Sequence, residues 1–190
     1  MNKRSGIESR KKIIHAALDV FSVQGYSKAS IRDIAKKAGI SVGGIYLYFR
    51  NKEELYRNLI NEGRREMGAR ITTTVQEAKS ATQALSNFLT IHLEFAQKHR
   101  DFILLHLRER GFTFGMNEKK QFFKTQRELI EKILVRGIHA GEFRKCNTRE
   151  TAGIILGSLR GVVLSTALDE GVVVKPRTME EFVFKGVLKV

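Results

Sequence analysis

Apolar residues recur every three or four positions along most of the chain, which is the spacing of amphipathic α-helices. The first such run lies between 10 and 24, and Gly25 is expected to end it because glycine adopts the left-handed conformation that closes helices. Its apolar face comprises Ile13, Ile14, Ala17, Leu18 and Phe21. The residues before it, 1–9, are expected to form an arm outside the helix.

Residues 30–52 predict two short helices joined by a tight turn. Ser30 and Asp33 form a capping pattern in which each side chain binds a free backbone N–H at the helix start. The first helix should therefore open at Ile31. Gly39 is placed to close it.

Ser41 is expected to cap the second of these helices. Ile45 and Phe49, one turn apart, would seat it on the first helix, which is the arrangement of a helix-turn-helix. If Ile45 points inward, the rotation of about 100° per residue turns the opposite side of the helix outward. Gly43 and Leu47 then point furthest outward, flanked by Gly44 and Tyr46.

A helix-turn-helix presents this outward face to DNA. Its glycines each cost a helix roughly 0.8–1 kcal/mol relative to alanine, which a close approach of the backbone to the groove would explain. Tyr46 and Tyr48 offer hydroxyls to phosphates, and Lys52 begins the next helix, where an anion is favoured. The predicted DNA-binding residues are Lys28, Ser30, Arg32, Ser41, Val42, Gly43, Gly44, Tyr46, Leu47, Tyr48 and Lys52.

Bases are expected to be recognised without the usual paired hydrogen bonds from the recognition helix. None of its outward residues can pair bidentately with guanine or adenine; these are Val42, Gly43, Gly44 and Leu47. Recognition is therefore expected through thymine methyl groups, backbone groups, Arg32 or Lys28, with DNA shape as a further source.

The stretch Gly25–Leu55, GYSKASIRDIAKKAGISVGGIYLYFRNKEEL, resembles the DNA-binding segment of the TetR family of transcriptional regulators. It combines a glycine-tyrosine after the first helix, isoleucine-alanine and alanine-glycine pairs, a tyrosine-x-tyrosine-phenylalanine and a lysine-glutamate-x-leucine. The resemblance implies an all-helical bacterial homodimer in the cytoplasm, usually a repressor that a small molecule in the C-terminal domain releases from its operator. Beyond about Ile60 only the helical pattern and the AGEF turn at 140–143 are similar.

Six further helices are predicted after the motif. They begin near Asn51, Ser80, Asp101, Asn117, Asn147 and Thr178, and 111–115 is predicted to be a loop. The fold class is all-α, with a three-helix DNA-binding domain at 1–50 and a larger helical domain for effector binding and dimerisation at 51–190. The fourth helix is expected to connect the two.

Phenylalanine is concentrated in the middle of the chain, where seven of the twelve lie between Phe88 and Phe123. We expect a mainly apolar effector to bind there, with His92 or Gln126 fixing its polar end. The alternative is that these rings only fill a core. The predicted effector-binding residues are Phe88, His92, Phe95, Phe112, Phe114, Phe122, Phe123 and Gln126.

Glycines recur every four residues along the eighth predicted helix, at Gly153, Gly157 and Gly161. Such small residues allow another helix to approach closely, so this helix and the last are predicted to form a four-helix dimer interface. Packing within one chain is the alternative. The predicted interface residues are Gly153, Leu156, Gly157, Arg160, Gly161 and Leu164.

The formal charge of +14 indicates a polyanionic partner, and its distribution points to the first domain. Residues 1–53 hold eleven Lys and Arg against four Asp and Glu, a net charge of +7. Double-stranded DNA is the expected partner. Lys3 and Arg4 of the arm either enter an adjacent minor groove or remain disordered.

The remaining sequence features indicate a cytoplasmic protein without a membrane anchor. Cys146 is the only cysteine, so no intramolecular disulfide can form. The charged N-terminus is not followed by the apolar core of a signal peptide. The longest apolar run, 151–168, contains Arg160 and is shorter than the ~20 residues of a membrane span.

No catalytic or cofactor motif is present. The glycines at 39, 43 and 44 lack the preceding strand of a phosphate-binding loop, and no cofactor is expected. His92, His99 and His106 recur every seven residues, but the sequence between the last two should break the helix, which disfavours a metal site. Two rival functions are an enzyme or carrier that kept the fold and a protein that coats DNA without sequence preference.

Overall fold

The computed structural model describes residues 3–108, 116–168 and 173–188. In chain order its helices are α1 (Lys3–Lys28), α2 (Ile31–Ala38), α3 (Val42–Tyr46), α4 (Lys52–Gln76), α5 (Ala81–Lys98), α6 (Arg100–Arg108), α7 (Met116–His139), α8 (Thr148–Leu168) and α9 (Pro176–Val187). Over these ranges the only β-contact is an isolated antiparallel bridge between Phe143 and Leu188. The predicted all-α class is confirmed.

The N-terminal segment differs from the arm that the sequence predicted. From Lys3 onward the chain is helical, so α1 includes most of the segment that was expected to lie outside it. Lysine, arginine and glutamate favour helices, and no stop signal separates them from the apolar run. The predicted end at Gly25 is confirmed, because this glycine has φ 77° and ψ 161° and interrupts the helical backbone.

The later helices lie close to their predicted positions. Asn51 Oδ1 accepts from Glu54 N–H at the start of α4, Ser80 Oγ accepts from Gln83 N–H at the start of α5, and Asn147 Oδ1 accepts from Glu150 N–H in α8. The last helix begins at Pro176, before the predicted start, because proline's fixed φ suits a first helical turn. The loop predicted at 111–115 lies outside the described residues.

The chain divides into two compact units, and the division falls within α4. The first contains the described residues up to Arg64 together with α6 from Asp101 onward. In it α1 packs on α2, and α2 packs on α3. Its buried core includes Ile13, Ala17, Phe21, Ile34, Ile45, Phe49, Leu55 and Leu59.

The second unit contains Arg65–Arg100 and the described residues from Met116 onward. Its central helix is α5, which packs against α7, α8 and α9, and α7 also packs on α8. Its core includes Leu85, Phe88, Leu89, Ile130, Leu134, Ala152, Ile155, Leu159, Met179 and Val183.

A tight turn after α7 fixes the start of α5. The carboxylate of Glu142 accepts hydrogen bonds from Ala81 N–H (3.0 Å), Thr82 N–H (2.8 Å) and the Thr82 hydroxyl (2.8 Å). Phe143 lies so close to Gly137 that a Cβ there would stand 2.1 Å from its Cδ2 atom. The turn therefore joins two helices through a capping carboxylate and a ring that requires glycine beneath it.

The helix α8 is long and apolar enough to cross a membrane by length and composition alone. A core helix of a water-soluble protein passes the same test. Ala152, Ile155, Leu156 and Leu159 are buried in the second unit, where α8 packs on α5 and α7. One face of α8 therefore belongs to the core of this unit.

Candidate functional site

The helix α2 begins with the predicted capping box. Ser30 Oγ accepts from Asp33 N–H (3.1 Å), while Asp33 Oδ2 accepts from Ser30 N–H (3.2 Å) and from the Ser30 hydroxyl (2.6 Å). Gly39 ends the helix at φ 66° and ψ 34°, and Ile40 N–H donates to Ala35 O at 3.1 Å. Both predicted boundaries of α2 are confirmed.

The helix α3 follows at once and is shorter than expected. Ser41 Oγ accepts from Gly44 N–H at 3.0 Å, which confirms the predicted cap. The helix ends at Tyr46, so Tyr48 and Phe49 lie in the turn beyond it rather than within it. Phe49 is still buried, as is Ile45, because the chain after α3 turns back onto the core of the first unit.

The predicted reading face is exposed. Relative exposure is 74% for Leu47, 51% for Tyr46 and 39% for Val42. Arg32 on α2 and Lys28 at the end of α1 are exposed as well. The first unit therefore brings an apolar strip, a phenol and two cations to its surface, which suits thymine methyl groups and phosphates.

The two glycines of α3 have different surroundings. A Cβ on Gly44 would stand 2.6 Å from Ile40 Cγ2 and 3.2 Å from Ser41 Oγ, so packing within the chain explains this glycine. A Cβ on Gly43 would meet nothing within 4 Å. Only Gly43 is left for a close approach of DNA to the backbone.

The ammonium group of Lys52 lies against the end of α1. Its Nζ donates to Tyr26 O and to Ala29 O, each at 2.8 Å, and stands 4.5 Å from the centre of the Tyr26 ring. A third carbonyl, Ser27 O, is 3.5 Å away. An ammonium group has three donors, so most of its capacity is used within the protein. Lys52 therefore positions the segment that carries Lys28.

Sequence reasoning missed the role of Arg10. Its guanidinium donates to Glu62 Oε1 (3.1 Å) and Asn58 Oδ1 (2.9 Å) on α4 and lies 5.5 Å from the centre of the Phe49 ring. Glu62 lies 52 positions and Asn58 lies 48 positions from Arg10 along the chain, so no local pattern could have indicated these contacts. Arg10 fixes α1, α4 and the turn after α3 relative to one another.

The helix-turn-helix geometry agrees with the comparison to known families. Residues 13–59 match the family model described as bacterial regulatory proteins, tetR family. This segment is a DNA-binding domain of the TetR type. The chain is a TetR-like DNA-binding transcriptional regulator, and its relatives are regulators and not enzymes.

Several related proteins are similar to this chain over most of its length. The chain is 28% identical over 162 residues to the fatty acid metabolism regulator protein of Bacillus subtilis (strain 168), and the match covers 84% of each chain. The solved fatty acid degradation regulator FadR from Bacillus halodurans is 26% identical with a TM-score of 0.80, covering 94% of this chain and 95% of that one. FadR from Bacillus subtilis, solved with stearoyl-CoA, shares the fold at 24% identity and a TM-score of 0.76, covering 92% and 95%.

The predicted effector residues of this TetR-like regulator lie in its second unit where they are described. Phe88, Phe95, His92 and Gln126 are buried, whereas Phe122 and Phe123 are half-buried with ring centres 5.6 Å apart. Phe112 and Phe114 lie outside the described residues. The pocket itself stays a prediction.

His92 and His99, two of the three histidines spaced seven residues apart, contact different phenylalanines. His92 lies 4.3 Å from Phe88 and His99 lies 4.3 Å from Phe95, measured between ring centres. The side chain of His106 is outside the described part of the chain. Where side chains are described, no group of three or more His, Cys, Asp or Glu residues could hold a metal ion.

The predicted interface glycines lie on the exposed side of α8. A Cβ on Gly153, Gly157 or Gly161 would meet nothing within 4 Å. Leu164 is 37% exposed, but Leu156 is 6% exposed and packs in the core of its own unit. Leu156 therefore does not belong to the exposed face of α8. Arg160 reaches α7, where its guanidinium carbon stands 3.8 Å from the centre of the Phe123 ring.

Proposed function

We propose that this regulator is a cytoplasmic homodimeric repressor that leaves a near-palindromic operator when a mainly apolar effector binds to its second unit. The observation that carries the DNA-binding part is the exposed face of α3, where Gly43 is unobstructed beside Val42, Tyr46 and Leu47. This face suits thymine methyl groups and a close backbone contact, with Arg32 or Lys28 supplying hydrogen bonds to bases.

The proposed dimer uses the apolar residues that α8 and α9 leave exposed. Ile154 is 67% exposed and Leu168 is 63% exposed on α8, while Phe182 on α9 is 65% exposed. Large apolar side chains together with unobstructed glycines favour a second copy over water. A twofold dimer would present two reading faces to half-sites about 34–36 Å apart, one turn of the duplex.

The proposed effector belongs to the long-chain acyl compounds. Two observations support this class: the apolar surroundings of α5 and α7, and the related regulators, whose names concern fatty acids and one of which was solved with stearoyl-CoA. Because α4 is common to both units, binding in the second unit could shift the start of α4 and thus the segment that Lys52 holds.

Selection of binding sites from random DNA duplexes tests the first part of this proposal. The dimeric protein is incubated with the duplexes at near-physiological salt, and the retained DNA is sequenced. Recovery of a palindrome supports a specific dimeric regulator, whereas retention without enrichment and with steep salt dependence indicates non-specific coating. Substituting Arg32 and Lys28 by alanine should then alter base preference at named operator positions.

The operator found in this way becomes the probe for the effector. Long-chain acyl-CoA, the matching free fatty acid and an unrelated hydrophilic metabolite are added to the complex of protein and operator. Release by an acyl compound alone supports the proposed class. Retention of the complex at saturating concentrations of every acyl compound contradicts it.

A further inference from the structure

Gln126 places an unsatisfied acceptor inside the second unit. The residue lies on α7 and is 4% exposed. Its Oε1 atom is buried and receives no hydrogen bond from the residues that the structure describes. Buried polar atoms in folded proteins are nearly always paired, so this oxygen is available to a donor other than the residues that the structure describes.

His92 on α5 supplies a second acceptor. The residue is 7% exposed, and its Nδ1 stands 2.7 Å from the backbone oxygen of Phe88. A carbonyl oxygen can only accept, so Nδ1 carries the hydrogen. Burial lowers the pKa of His92 to about 4, although the bond to Phe88 opposes this shift, and the ring is neutral at pH 7. Its Nε2 atom therefore carries the ring's lone pair and can only accept a hydrogen bond.

These two acceptors lie on packed helices in apolar surroundings. The rings of His92 and Phe88 are 4.3 Å apart, and α5 packs against α7. On α7, Phe123 stands one turn before Gln126 and contacts Phe122. A ligand in contact with both His92 and Gln126 would meet one hydrogen-bond acceptor on each of the two helices.

We infer that Gln126 Oε1 and His92 Nε2 accept hydrogen bonds from the effector, which is a long-chain molecule that offers them an uncharged N–H or O–H donor at its polar end. This inference rests on the proposed effector site and narrows its ligand. A free carboxylate has acceptors only and would oppose both lone pairs. Rotating the Gln126 amide would offer it a donor, but His92 Nε2 would still face the anion.

The test compares probes of equal chain length on the full-length protein. Dodecanamide and dodecanoate are titrated at pH 8 and below their aggregation concentrations, with binding measured by calorimetry. Wild type should bind the amide about tenfold more tightly, because a site built to accept a hydrogen bond rejects a ligand that cannot donate. Gln126→Leu should reduce this preference to about threefold or less.

The control variant is Gln121→Leu, which makes the same change at an exposed position of α7. It should leave the preference unchanged. The unfolding temperature of Gln126→Leu should be no lower than that of wild type, since a side chain with an unpaired buried oxygen is replaced by an apolar one of similar size. If this variant does not fold, His92→Phe tests the same preference by removing Nε2 while keeping a ring.

The outcomes separate this inference from the effector proposal. Equal binding of both probes by wild type, unchanged in Gln126→Leu, overturns the donor requirement and leaves an apolar effector in place. Preference for dodecanoate overturns it as well. Binding of neither probe, while operator DNA is still bound, overturns the long-chain effector and the inference with it.

Discussion

Lys52 at the start of α4 donates to the backbone oxygen of Tyr26 at the end of α1, with Nζ and O 2.8 Å apart. The same ammonium group stands 4.5 Å from the centre of the Tyr26 ring. Lys52 at the start of α4 therefore hydrogen-bonds a backbone carbonyl at the end of α1. The chain at the end of α1, which carries Lys28 and continues to Ser30, depends on this contact for its position.

Lys52→Met should weaken operator binding without removing a phosphate contact. The substitution removes the hydrogen bonds that Lys52 donates to the carbonyls of Tyr26 and Ala29, so the protein should be destabilised by about 1–2 kcal/mol. Affinity should fall at every salt concentration while the slope of log affinity against log salt stays unchanged. Binding measured between about 50 and 200 mM salt, a range in which phosphate contacts weaken strongly, checks this prediction.

A phosphate contact at Lys52 would give the opposite pattern. The slope would then decrease by about 0.9 for each subunit, or about 1.8 for the dimer, with little change in thermal stability. Lys79→Met, an exposed lysine of the second unit, removes the same charge and serves as the control. It should change neither stability nor slope.

Gly43→Ala and Gly44→Ala should separate folding from DNA contact. The new methyl at 44 would press on Ile40 and Ser41, so this variant should unfold at a lower temperature. At 43 the methyl meets open space, and helix propensity predicts a gain of up to about 1 kcal/mol. If the backbone at Gly43 approaches the groove, Gly43→Ala should nevertheless bind the operator more weakly.

Thermal unfolding and operator affinity of both variants check this pair. Unchanged affinity in Gly43→Ala would remove the close backbone approach from the proposed recognition. Equal thermal stability of Gly44→Ala and wild type would show that Ile40 can move aside.

Glu142→Gln should destabilise the protein by about 1 kcal/mol at pH 7, as the loss of a helix cap does. Burial acts to raise the pKa of the Glu142 carboxyl, but hydrogen bonds from Thr82 and Ala81 and the charge of Arg136 outweigh it, so the pKa is lowered from 4.5. A carboxyl whose pKa is lower in the folded state stabilises the fold at pH values above its unfolded-state pKa. This contribution is lost as the pH falls through the folded-state pKa.

The free energy of unfolding should therefore differ most between wild type and Glu142→Gln above about pH 5, and the difference should shrink in more acidic solution. Urea unfolding at a series of pH values measures it. Glu77→Gln, at an exposed carboxylate, is the control and should match wild type. A difference that grows as the pH falls would contradict the proposed cap.

Leu164→Glu should convert the proposed dimer to monomers. Leu164 is 37% exposed beside the unobstructed glycines of α8, and a buried carboxylate in a helix contact would be left without a partner. Val135→Glu is the matched control because Val135 on α7 is similarly exposed, at 41%. Sedimentation analysis should find Leu164→Glu monomeric and Val135→Glu unchanged.

Operator affinity of the same two variants links assembly to function. A monomer holds one reading face, so Leu164→Glu should lose most of its affinity for a full palindrome while keeping the secondary structure of wild type. A dimer that persists in Leu164→Glu would move the interface elsewhere.

Local patterns in the sequence determined the helix-turn-helix. The caps at Ser30 and Ser41, the closing glycine at Gly39 and the inward Ile45 act within a few residues, so spacing and side-chain chemistry are sufficient to predict them. The all-α class followed from the same periodicity. The extent of α1 did not, because helix propensity alone does not say where a charged N-terminal run stops.

Only the tertiary structure decided which features serve packing and which are left for partners. Gly43 and Gly44 are identical in sequence, yet Ile40 lies against one and nothing lies against the other. Leu156 and Leu164 share an apolar helix, but the core of the second unit buries only the first. Lys52 contacts carbonyls more than twenty residues away. Such relationships depend on which surfaces meet when helices pack, and residue spacing along one helix does not contain that information.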